Sequence, residues 1–117
     1  MPITMPADDF DRLVERALAD VPRALADLID NVVIMVEDWP PPGGPYLLGL
    51  YHGVPLTERD HNYAGVLPDR ITIFRGTILQ ICNTAEEVVH EVHITVVHEI
   101  AHHFGISDDQ LHRLGYG

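Results

Sequence analysis

One stretch of the 117-residue chain concentrates the residues that can do chemistry, "HEIAHHFGISD", His98 to Asp108. Four positions separate His98 from His102, so on a helix the two imidazoles stand one turn apart on one face and can converge on one ion. Glu99 lies beside them, placed to hold a water between a metal and a substrate. Gly105 permits a sharp reversal after the helix, and Asp108 then returns a carboxylate toward the histidines. Three protein donors leave the fourth tetrahedral position for water, which is the catalytic and not the structural arrangement. Asp109 competes with Asp108 for the third place but sits one residue off the spacing. Residue identity does not select the ion, since two imidazoles and a carboxylate also suit nickel, cobalt or iron. An iron oxygenase site could use such a set, but there Glu99 has no evident task.

The segment around this motif holds five of the chain's eight histidines. Placed at ~100° per residue, Val88, Val89, Val92, Val96, Val97, Ile100 and Phe104 form an apolar arc that must meet a core. His98 and His102 fall on the opposite side with Glu87, Glu91 and Thr95, and Glu99 lies at the rim. His93 and His103 point into the arc and His90 lies just beyond its edge. Those three are expected to be core or rim histidines whose ring nitrogens find hydrogen-bond partners. "HEVHI" at 90–94 is a decoy, because its second histidine falls at i+3 and Ile94 occupies i+4.

Capping residues set the limits of the helix that carries the motif. "TAEE" places Thr84 as N-cap and Glu87 three residues on as its capping-box partner. Gly105 is the residue that can close the helix in the left-handed conformation. Ser107 and Gln110 repeat the capping-box spacing and begin a last short helix running to about Leu114. Upstream, "DDFDRLVERALADVP" has the period of an amphipathic helix stopped near Pro22, and "RALADLID" predicts a second short one. "NVVIMVED" reads as a buried strand, and "WPPPGGP" as a loop. "YLLGLYHG" and "RITIFRG" read as two further strands, separated by a polar segment long enough to be a functional loop. The order α, α, β, β, β, long α, short α predicts a single α+β domain over residues 1–117, with a small sheet packed on its long helix.

Composition narrows the partners. Eighteen acidic against seven basic residues give a net charge of −11, which argues against nucleic acid and is compatible with a neutral or basic peptide. The single Cys82 allows no internal disulfide, and "MPITMPADDFDRL" lacks the pattern of a signal peptide. No apolar run approaches a membrane span. A soluble cytoplasmic protein is expected, large enough to bury about 65% of its unfolded surface without staples.

The motif resembles the zincin metallopeptidases, and among them the Asp-zincin variant of the extended metzincin motif, in which aspartate replaces the third histidine. More narrowly, the chain is similar to a small bacterial family of minimal zincin-like metallopeptidases. The resemblance implies one zinc per chain on His98, His102 and Asp108, with Glu99 as general base and then acid in peptide-bond hydrolysis. It implies a zincin-like fold with a small mixed or mostly antiparallel sheet of about three strands. It also implies that the peptide lies as an extra strand along an exposed sheet edge, here expected at Leu48 to Gly53, with the Glu58 to Leu67 loop as one rim. Metzincins carry a methionine turn beneath the metal, and this chain has methionine only at Met1, Met5 and Met35. Nine residues follow Asp108. Among them Tyr116 is the candidate to fold back toward the histidines and support the site by packing or a hydroxyl bond. Two other readings stay open: a non-catalytic interaction module that keeps the fold, and a zinc hydrolase acting on a small amide. An exposed sheet edge is also compatible with a homodimer.

Overall fold

A computed structural model describes residues 2–53 and 68–116. Their order is α1 (Ala7–Ala19), α2 (Arg23–Ala26) with a 3-10 turn (Asp27–Ile29), β1 (Val32–Glu37), β2 (Gly49–His52), β3 (Asp69–Phe74), α3 (Arg75–Ile81), α4 (Ala85–Phe104) and α5 (Asp108–Arg113). The fold is α+β with a mixed sheet of order β1-β3-β2. β3 is central, parallel to β1 and antiparallel to β2. The expected peptide-accepting strand, β2, therefore lies at an edge. The Glu58 to Leu67 loop expected beside it lies outside the described residues.

α4 is bounded as its caps dictate. Thr84 accepts from the Glu87 N–H at 3.1 Å, and Gly105 closes the helix at φ 69°. The reciprocal half of the capping box is displaced by one residue, since the Glu87 carboxylate takes the Asn83 N–H at 2.8 Å. α5 has the full box between Ser107 and Gln110. The core lies between α4, α1 and one face of the sheet, where Phe10, Ile71, Ile73, Val88, Val92, Val96 and Ile100 are fully buried. Each such side chain contributes about 1.5–3 kcal/mol. The exposed Arg16–Glu86 pair that also joins α1 to α4, at 3.3 Å, adds about 0–1 kcal/mol. Apolar packing holds the helices together.

Two expectations need correction. β1 is not a buried strand, because as the second sheet edge it covers only Val32, Ile34 and Val36, leaving Val33 and Met35 44% and 40% exposed. α3 is a helix that the sequence pattern does not announce. It follows β3 directly and is held by Thr77, whose hydroxyl donates to the Leu47 carbonyl at 2.7 Å. An Arg75–Asp38 ion pair at 2.6 Å ties its start to the end of β1.

The seating of β2 on α4 depends on one close approach. A Cβ at Gly49 would stand 2.6 Å from Thr95 Cγ2 and 3.1 Å from the Thr72 carbonyl oxygen. Thr95, expected on the open side of the helix, is instead buried beneath this strand. Gly49→Ala should therefore lower stability by about 1–3 kcal/mol, read as a drop in thermal midpoint. Thr95→Ser, which removes the clashing methyl, should restore part of it; equal stability of Gly49→Ala and wild type would refute the contact.

Cys82 is fully buried. Burial first, and then the charges of Glu91 and Glu87, push its thiol up from 9.0 to about 11. The stability held by the neutral thiol is thus intact below pH 9 and lost as pH rises toward 11. Urea unfolding across that range should show a shallower alkaline decline for Cys82→Ala than for wild type, and identical slopes would contradict this.

Candidate functional site

The long helix presents its donors as the i, i+4 spacing requires. His98 and His102 are both exposed, with ring centroids 6.4 Å apart and planes inclined by 29°. Glu99, half-buried at the rim, turns toward the sheet, where its Oε1 accepts the backbone N–H of Tyr51 at 2.9 Å. Phe74 N–H donates to the Leu48 carbonyl, so alternation along this antiparallel pair puts the Tyr51 N–H on the open side of β2, away from β3. Glu99 thus caps a group on the sheet's edge.

Asp108 opens α5 as an exposed residue and lines one cavity with His98. That cavity, of about 730 Å³, lies between α4 and α5 and is also walled by His90, Ile94, Leu111 and Tyr116. Asp109 lines it as well, so the geometry leaves both carboxylates beside His98. In kind the donors fit zinc: two accessible imidazoles on one helix face and a carboxylate across the cleft. They are not drawn together, for among the described residues no three His, Cys, Asp or Glu side chains stand close enough to hold an ion.

The remaining histidines separate by environment. His93 is half-buried and fully bonded, as its place in the arc implies. Its Nδ1 lies 2.9 Å from the Ala17 carbonyl and its Nε2 2.5 Å from the Tyr116 hydroxyl. A carbonyl can only accept, so Nδ1 carries the proton and, in the neutral ring, Nε2 accepts from Tyr116. Tyr116 does fold back, but onto His93 and not onto the proposed metal pair. Burial first, and then the charge of Asp20, hold its phenol above the ordinary tyrosine range. His90 is exposed on the cavity wall.

His103 departs from the arc. It is exposed at the edge of β2, stacked on Tyr51 with ring centroids 3.8 Å apart and planes 15° apart. Phe104, also assigned to the arc, stands 39% exposed and meets Tyr51 edge-on at 6.0 Å. The Tyr51 hydroxyl donates to Asp69 Oδ2 at 2.7 Å, and His103 Nε2 lies 3.9 Å from the same oxygen. Asp69 is the site neighbour that sequence reading missed, and Tyr51 entered only as part of the expected peptide-accepting strand. Alternation along β2 puts Tyr51 on the sheet face turned to the helix, whereas Asp69 is brought to it by sheet register.

The zincin-like metallopeptidase family matches residues 29–117. In fold the chain is similar to a conserved hypothetical protein from Thermo thermophilus, with a TM-score of 0.57 and 27% identity over 86% of this chain and 94% of that one. No curated protein matches the sequence. Among the described residues no helix is long and apolar enough to cross a membrane.

Because the Tyr116 hydroxyl is bonded and half-buried, Tyr116→Phe should cost about 0.5–1.5 kcal/mol of stability. Urea unfolding reads this directly, and an unshifted midpoint would mean that the hydroxyl holds nothing.

Proposed function

The chain belongs to the zincin-like metallopeptidase family, and from that premise we propose that it is a zinc-dependent peptidase acting on extended peptides laid along β2. The observation that carries this reading is the placement of Glu99. Its carboxylate is anchored at 2.9 Å to the edge-strand N–H of Tyr51, on the helix that exposes His98 and His102. One end of the acid is therefore fixed at the strand a peptide would pair with, beside the two imidazoles.

In this reading His98, His102 and Asp108 hold one zinc per chain. When bound, zinc supplies the Lewis acidity that makes a water nucleophilic near pH ~7 and polarises a carbonyl. Glu99 uses the carboxylate oxygen not committed to Tyr51 to take the proton of the attacking water, and then passes it to the leaving amine. β2 orients the scissile bond through backbone pairing beside the Tyr51 N–H that Glu99 occupies, and such pairing accommodates many side chains. An exposed strand edge suits a peptide better than a small amide, which would call for a closed pocket.

One observation favours a second reading. The imidazoles and Asp108 do not converge among the described residues, as suits an interaction module that keeps the fold without cleaving.

Metal content and zinc titration on wild type, Glu99→Ala and Asp108→Ala, with a fluorogenic peptide library, separate the two. A peptidase should bind one zinc per chain, lose it in Asp108→Ala, and keep it in Glu99→Ala while cleavage falls by about 10²–10⁴-fold. Tight zinc in a wild type that cleaves nothing would establish the module instead.

A further inference from the structure

Glu99 is oriented through a backbone group, so whatever fixes that stretch of backbone fixes the acid. The side chain of Tyr51 is clamped from two directions. Its hydroxyl is bonded to Asp69 at the start of β3 at 2.7 Å, and its ring is covered by His103 of α4 at 3.8 Å. Phe104 meets the ring from a third side. Tyr51 thus ties β2 to β3 and to the last turn of α4, while its own N–H holds Glu99, one turn earlier on that helix. Beneath the strand Gly49 rests on Thr95, so residue 51 is also held from the residue two before it.

We propose that Tyr51, braced by Asp69 and His103, is the positioning residue for Glu99: the clamp on its side chain sets the place of its backbone N–H, and that N–H aims the carboxylate. The inference rests on the peptidase reading only for its catalytic consequence. Neither Tyr51 nor Asp69 touches the reacting atoms. A carboxylate held by one short charge-assisted bond keeps one orientation, whereas an unanchored glutamate at a half-exposed site samples several rotamers. The clamp accordingly affects how often Glu99 is correctly placed and leaves metal affinity alone.

The test is amide hydrogen exchange at residue 51, followed by NMR on the metal-free full-length chain and referenced to Ile71 and Ile73 of β3. Exchange at residue 51 should quicken about tenfold in Glu99→Ala, which removes the acceptor. It should quicken comparably in Asp69→Ala and in Tyr51→Phe, which keeps the ring and its stacking, and return toward wild type in Asp69→Asn, whose amide oxygen can still accept from the phenol. With zinc and the library peptide that wild type cleaves best, Tyr51→Phe and Asp69→Ala should lower kcat by a larger factor than they alter KM, with bound zinc unchanged. Unaltered exchange at residue 51 in both variants, or a loss confined to KM, would overturn the proposal. If exchange responds as expected while wild type cleaves no peptide, the positioning of Glu99 stands and the peptidase reading falls.

Discussion

The arrangement depends on a match of two periodicities. One row of contacts runs along β2 and the residue after it against α4: Gly49 against Thr95, the Tyr51 N–H to Glu99, and Gly53 beside His103. Each advances two residues on the strand and four on the helix. Two strand residues rise ~6.8 Å and four helix residues ~6.0 Å, so strand and helix stay in step over this distance and drift by about 0.8 Å per rung. The same four-residue step separates His98 from His102, so the row of donors and the row of strand contacts run side by side along the helix.

α4 therefore answers three demands with one period. Val88, Val92, Val96 and Ile100 fill the core, Thr95, Glu99 and His103 meet the edge strand, and His98 and His102 remain exposed. The arrangement restricts which side chains can exchange places. Thr95 is polar yet buried because β2 lies over it with no side chain intervening, and His103 is exposed yet stacked because it meets Tyr51 at the strand's end. Both fall at the border between faces, where an angular projection cannot separate a covered position from an open one.

That border marks how far the sequence could be read. Features set by local chemistry were legible: the caps Thr84, Gly105 and Ser107, the long helix, three strands, and the exposed histidine pair; the edge position of β2 was expected only from the family resemblance. Features set by neighbours distant in sequence were not. β1 has a fully aliphatic run, "VVIMV", and nothing within it tells that one face is uncovered. α3, "RGTILQI", is rich in β-branched and small residues and follows a strand without a break. Its helical state depends on packing and on Thr77 reaching Leu47, against weak local propensity. Tyr51 and Asp69 carry no motif, and they matter only because sheet register places them near each other. Tyr116 could be expected to fold back, but its acceptor on His93 could be identified only once α1 was in place.

The bond from His93 to Ala17 has a consequence for how the protein can vary. Ala17 lies in α1, which precedes the matched region beginning at residue 29. Its carbonyl is one of the last-turn acceptors that a helix cannot satisfy internally, and the imidazole that satisfies it also receives the hydroxyl of Tyr116 on the cavity wall. A single ring thereby makes α1 and the cleft wall thermodynamically interdependent. Substitutions in α1 that shift its last turn become a route for tuning the cleft without altering any residue that lines it.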